Sequence, residues 1–104
     1  MDDPARDAAR LFVFVRLHAH AGREPDVAIA LRTVVNASRA EPGCVTMDAF
    51  QATKDERLFF IHSRWVDESA FDRHAGLAHT RAFIERVDAL LDEPRAVTRT
   101  ILIA

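Results

Sequence analysis

The chain predicts an α+β fold, with a four-stranded antiparallel sheet, helices on one face, and the ferredoxin-like split β-α-β order. Three observations predict it. Stretches with strand-like, period-two alternation run from Leu11 to His18, Cys44 to Thr53 and Leu58 to Trp65, and a β-branched stretch runs from Arg95 to Ala104. Apolar residues at helical spacing fill the gaps after the first and third of these. The second and third are joined only by Lys54-Asp55-Glu56, a charged hairpin turn.

Residues 1–10 read as a loose polar lead, and 11–104 as a single domain. In LFVFVRLH, Leu11, Val13, Val15 and Leu17 alternate with Phe12, Phe14, Arg16 and His18, so this is a strand. Ala21 to Asp26 is a turn leading into a helix, on which Val27, Leu31, Val34 and Ser38 share a stripe widened by Ala30 and Val35. Glu41-Pro42-Gly43 ends that helix, because proline stops it and glycine supplies a permissive backbone. After the hairpin, Asp67 or Ser69 caps a short helix carrying Ala70, Phe71 and His74, with Ser69 and Asp72 outlining a capping box. Gly76 interrupts it. A longer helix from about Thr80 to Leu91 sets Phe83, Val87, Leu90 and Leu91 inward, and Asp92-Glu93-Pro94 closes it.

Composition narrows the function. In 104 residues, 49% hydrophobic content suffices for a core, so a disordered chain is not expected. The 14 basic and 16 acidic residues are mixed along the chain, with no basic stripe of the kind that binds nucleic acid. No apolar run reaches the roughly 20 residues of a membrane helix, and the charged start is no signal peptide. One cysteine, Cys44, cannot form an internal disulfide and suits a reducing cytoplasm. These features point to a cytoplasmic domain without nucleic-acid or membrane partners. The first and third strands are apolar on both sides at their centres, yet a sheet with one face in water shows polar residues there. The simplest cover for the second face is another copy of the chain, which predicts a homodimer with sheets face to face.

The stretch HSRWVDESAFDRH at 62–74, followed by His79, concentrates the chemistry. Glu41-Pro42-Gly43-Cys44, then Arg64-Trp65-x-Asp67, Phe71-x-x-His74 and His79-x-x-x-Phe83, together resemble the antibiotic biosynthesis monooxygenase family. The resemblance spans about residues 11–104. It implies a dimeric α+β barrel, whose better-known members oxidise quinols or polycyclic phenols with molecular oxygen and no flavin, haem or metal. Related members isomerise small sugar-like molecules or degrade haem. Where the family often has a glutamate before the Arg-Trp pair, this chain has Ser63, which removes a carboxylate from that place. Ile84 and its neighbours stand where the haem-degrading branch has its ligating histidine, and His74 stands where that branch has a tryptophan, so haem chemistry is not expected.

Among candidate residues His79 comes first. Lying before or within the first turn of the last helix, it meets the positive end of the helix dipole, which suits a neutral imidazole able to accept a phenol's proton; otherwise it caps the helix. His74 is the second catalytic candidate, across the glycine break and able to face the same cavity; otherwise it is a half-buried histidine bonded to a carbonyl. Trp65, His62, Arg64, Phe60 and Phe83 are the candidate substrate contacts. Trp65 and Arg64 alternate to opposite faces, so both cannot line one cavity unless the strand bulges. No metal is expected, because no cysteine or clustered carboxylate completes a ligand set with the two histidines. His18 and His20 form an H-x-H better read as a solvated strand end, Cys44 reads as inert packing, and the scattered glycines form no phosphate loop.

The function expected is a cofactor-independent monooxygenase acting on a small quinol or polycyclic phenol. The alternatives are a non-catalytic dimeric module that binds a small ligand, and an isomerase of a small sugar-like substrate in which the histidines move a proton.

Overall fold

A computed structural model describes residues 8–104, so residues 1–7 of the polar lead lie outside the described residues. The elements run β1 (Leu11–His18), α1 (Glu24–Ser38), β2 (Cys44–Gln51), β3 (Leu58–Trp65), α2 (Glu68–Gly76), α3 (Ala78–Asp88) and β4 (Ala96–Thr100). The strands form one antiparallel sheet in the order β2-β3-β1-β4. This is the ferredoxin-like α+β arrangement expected from the sequence.

Strand alternation decides the two faces. Leu11, Val13 and Leu17 of β1 meet Phe59, Ile61 and Trp65 of β3 under the helices, and all six are buried. The opposite face carries Phe12, Phe14, Phe50, Phe60, His62 and Arg64. Phe14 and Phe50 are each about half exposed there, at 49% and 51%. The α1 stripe packs onto the inner face through Val27, Ala30, Leu31, Val34, Val35 and Ser38, the same residues its spacing predicts. Pro25 starts the helix, and Glu24 and Asp26 place negative charge at its positive end. Asp67 caps α2, its carboxylate accepting from the Ala70 N–H at 2.8 Å, so the capping box read at Ser69 does not form.

Three boundaries differ from the sequence reading. β2 stops at Gln51 rather than Thr53. Helix α3 begins at Ala78 and ends at Asp88, short of Leu91. Its next residues are recruited by the sheet's end, where the His20 N–H donates to Leu90 O, Leu91 bridges Ala19 and the Asp92 N–H donates to His18 O. Leu90 and Leu91 are still buried. β4 ends at Thr100, and Ile101 to Ile103 continue with no ladder partner within the described residues and are exposed.

Candidate active site

The turn after α1 is held tightly against the rest of the chain. The Glu41 N–H donates to Ser38 O, the Cys44 N–H to Glu41 O, and Gly43 O accepts from the Val66 N–H at 2.9 Å. Gly43 adopts φ +87°, which a glycine takes without strain. It also lies so near α2 that a Cβ would fall 2.6 Å from the Ala70 Cβ. This pinning to the end of β3 sets Glu41 beside both α2 and α3.

Glu41, His74 and His79 come together there, from the turn and the two helices. Glu41 Oε2 lies 2.8 Å from His74 Nδ1 and 2.6 Å from His79 Nε2. The Glu41 side chain is only 7% exposed. An ionised carboxylate only accepts, so both rings donate to it through those nitrogens. This pairing assigns His74 the tautomer with its hydrogen on Nδ1, where Thr80 Oγ1 also lies at 3.3 Å, and leaves Nε2 as an acceptor with no partner among the described residues. His79 supplies no cap to α3, whose N-terminus has no side-chain cap, so the capping role considered for it is not the one it plays.

Packing fixes the His74 ring. Trp65 lies against it with centroids 4.7 Å apart, and Phe71 at 5.5 Å. Trp65 is itself fully buried and donates its indole N–H to Ser63 Oγ at 2.9 Å. Ser63 thus satisfies a core donor that a buried indole would otherwise leave unpaired.

A cavity of about 180 Å³ opens beside this group, bounded by the sheet's inner face and the helices. His74, Thr80 and Ser63 line it on the polar side, with Phe71, Phe83 and Ile61 among its apolar walls. Arg95 also lines it, its guanidinium paired with Asp88.

The sequence candidates therefore divide. His74 and Phe83 line the cavity. Trp65 stands behind His74 rather than in the wall, and His79 reaches the group through Glu41 from a position 32% exposed. His62, Arg64 and Phe60 lie on the other face of the sheet and do not line this cavity. There His62 stacks on Phe14 at 4.7 Å, and the Arg64 guanidinium sits over the Phe12 ring at 5.8 Å. Burial chiefly, and the Arg64 charge next, hold the His62 pKa below its ordinary value, with Asp48 opposing. His18 is bound by Asp92 at 2.8 Å and Asp55 at 3.2 Å through different ring nitrogens, so it belongs to a surface network. Burial, then the charge of Glu41, push the Cys44 thiol up to about 11, which suits an inert thiol.

Sequence reasoning missed Glu41 and Arg95 as site residues. Glu41 reads locally as part of a helix stop, and it stands 33 and 38 residues from the histidines it joins. The available signals were its place in the Glu41-Pro42-Gly43-Cys44 motif and a carboxylate in a turn that needs only the proline and glycine beside it.

Known proteins share both the sequence and the shape. The family model described as antibiotic biosynthesis monooxygenase matches residues 10–86. The Bacillus subtilis protein YcnE is 35% identical over 71 residues, covering 68% of this chain and 75% of that one. The crystal structure of PA3566 from Pseudomonas aeruginosa superposes with a TM-score of 0.85 at 29% identity, covering 92% of this chain and 96% of its own. Rv0793 from Mycobacterium tuberculosis shares the fold with a TM-score of 0.86 at 23% identity, covering 92% and 97%.

Proposed function

The chain belongs to the antibiotic biosynthesis monooxygenase family, and from that premise we propose that it oxidises a small quinol with molecular oxygen, without a cofactor, using His74 as the base. The observation that carries this reading is the Glu41–His74 pair beside a mostly apolar cavity. A cavity near 150 Å³ is enough for benzene, so about 180 Å³ suits one substituted ring better than a polycyclic phenol.

Oxygen in its triplet ground state reacts slowly with closed-shell molecules, so the substrate must donate the first electron, and a quinol does so readily only as its anion. His74 Nε2 accepts the phenolic proton, and Glu41 steadies the imidazolium that forms. Arg95, which lines the cavity, faces the anion once it leaves Asp88, whereas Arg64 lies on the other face of the sheet and cannot reach it. One electron passes to oxygen, and the two radicals join at a ring carbon. The O–O bond then breaks, leaving one oxygen on the ring of a hydroxyquinone and the other in water. Phe71 and Phe83 keep bulk water from the radical pair. His79 holds Glu41 in place.

The homodimer and the cytoplasmic setting belong to the same reading. Phe14, Phe50 and Phe60 on the uncovered sheet face, and Ile101 to Ile103 beyond β4, are exposed apolar side chains that a second copy would shield.

Oxygen uptake with a panel of monocyclic quinols tests the reading. It predicts turnover that falls by about 10²–10⁴-fold in His74→Ala. Turnover unchanged in that variant removes the histidine from the chemistry, and turnover without oxygen points to isomerisation instead.

A further inference from the structure

The side chains of Glu41, His74 and His79 also match the donor set of a transition-metal site. We propose that Glu41, His74 and His79 bind one divalent first-row transition-metal ion, through a carboxylate oxygen, Nδ1 and Nε2. The donor atoms of the three residues all lie within 4.8 Å of one another. They come from three separate elements whose packing is fixed by Gly43 against α2 and by His74 against Trp65. Two imidazoles and a carboxylate are the ligands that zinc and iron(II) take at sites with open positions.

Charge balance points the same way. The Glu41 side chain is buried, and its only side-chain partners among the described residues are the two histidines, with no lysine or arginine paired to it there. A buried carboxylate is ordinarily paired with a fixed cation or bound to a metal. Metal bonds of about 2.0–2.1 Å would hold the donors about 3.0–3.4 Å apart, against 2.8 and 2.6 Å now. The carboxylate would withdraw from each ring by a few tenths of an ångström to more than half an ångström, and the two ring nitrogens, which lie within 4.8 Å of one another, would close to the same separation. The partly exposed His79 gives an ion a way in, and the cavity beside His74 gives room for the remaining coordination positions. The other histidine–carboxylate cluster, at His18, lacks this convergence, since Asp92 and Asp55 bind opposite ring nitrogens.

Occupancy would change the site's chemistry, a consequence that rests on the base reading above. With Nδ1 on the metal, the ring hydrogen of His74 moves to Nε2, and the acceptor offered to a phenol is lost. The ion is then a reversible inhibitor of proton transfer.

Titration of the chelator-treated full-length protein with Co(II), followed by its visible absorption, tests the site. The expected result is saturation at one equivalent, displacement by Zn(II), and at least tenfold weaker binding in His79→Ala and Glu41→Gln. His18→Ala and Cys44→Ser should bind as the parent does. If Glu41→Gln fails to fold, His79→Ala decides. No saturable binding, or undiminished binding in folded His79→Ala, overturns the proposal. Oxygen uptake by the chelator-treated protein separates the two readings. Uptake with no cobalt bound refutes the metal site and leaves the base, whereas one bound cobalt with no uptake by the metal-free protein does the reverse.

Discussion

Replacing Gly43 by alanine incurs two distinct penalties, and Gly22 provides the means to separate them. Both residues have φ +87°, so an alanine at either carries the same left-handed strain, roughly 1–2 kcal/mol. Around Gly22 nothing lies within 4 Å of an added Cβ, so strain is the whole cost there. At Gly43 the new atom falls 2.6 Å from the Ala70 Cβ and 3.1 Å from the Val66 Cγ2. The Ala70 Cβ has no rotamer to escape into. Helix α2 must therefore move by about 1 Å to recover ordinary carbon contacts of about 3.5–4.0 Å. Overpacking of this kind costs about 1–3 kcal/mol, making about 2–5 kcal/mol in all for Gly43→Ala. Urea unfolding measures the difference directly. With a slope of about 1–3 kcal/mol per molar, the midpoint of Gly43→Ala should fall roughly 1 M further than that of Gly22→Ala. The same shift carries His74 away from Glu41, so quinol turnover should drop in Gly43→Ala and not in Gly22→Ala. Equal midpoints in the two variants would refute the close approach of turn and helix on which the site depends.

Two further predictions concern stability. Ser63→Ala leaves the buried Trp65 indole N–H without its acceptor, and thermal or urea unfolding should show a loss of about 1–3 kcal/mol. The bonds of His18 to Asp92 first, and to Asp55, raise its pKa in the folded chain above the ordinary 6.5. A raised histidine pKa adds stability that is complete below the unfolded value and fades as pH climbs through the folded one. The stability gap between the parent and His18→Gln should therefore be widest below about pH 6 and narrow in mildly alkaline buffer. A gap that widens with pH would contradict the network.

Local chemistry explains which features were legible from sequence. Period-two alternation in LFVFVRLH and LFFIHSRW marks two strands, and the stripe from Val27 to Ser38 marks α1, because each pattern is set by the element's own geometry. Leu90 and Leu91 mislead because burial does not distinguish a helix's last turn from a chain segment bridging to Ala19. Ile101 to Ile103 look like strand by composition, yet pairing depends on a neighbour that the described residues do not supply. Period two separates Trp65 from Arg64 but cannot say which face the helices cover, so the candidate contacts came from both. Glu41 was hidden for a different reason. Its bonds to His74 and His79 are tertiary, and in sequence it is one residue of a turn.

The central claim is that Glu41 holds the hydrogen of His74 on Nδ1 and leaves Nε2 to take a proton from substrate. Two-bond ¹H–¹⁵N correlation spectroscopy of the metal-free protein reads the tautomer of each neutral imidazole. The account predicts that His74 carries its hydrogen on Nδ1 in the parent and loses that preference in Glu41→Gln. A neutral His74 with its hydrogen on Nε2 in the parent would contradict it.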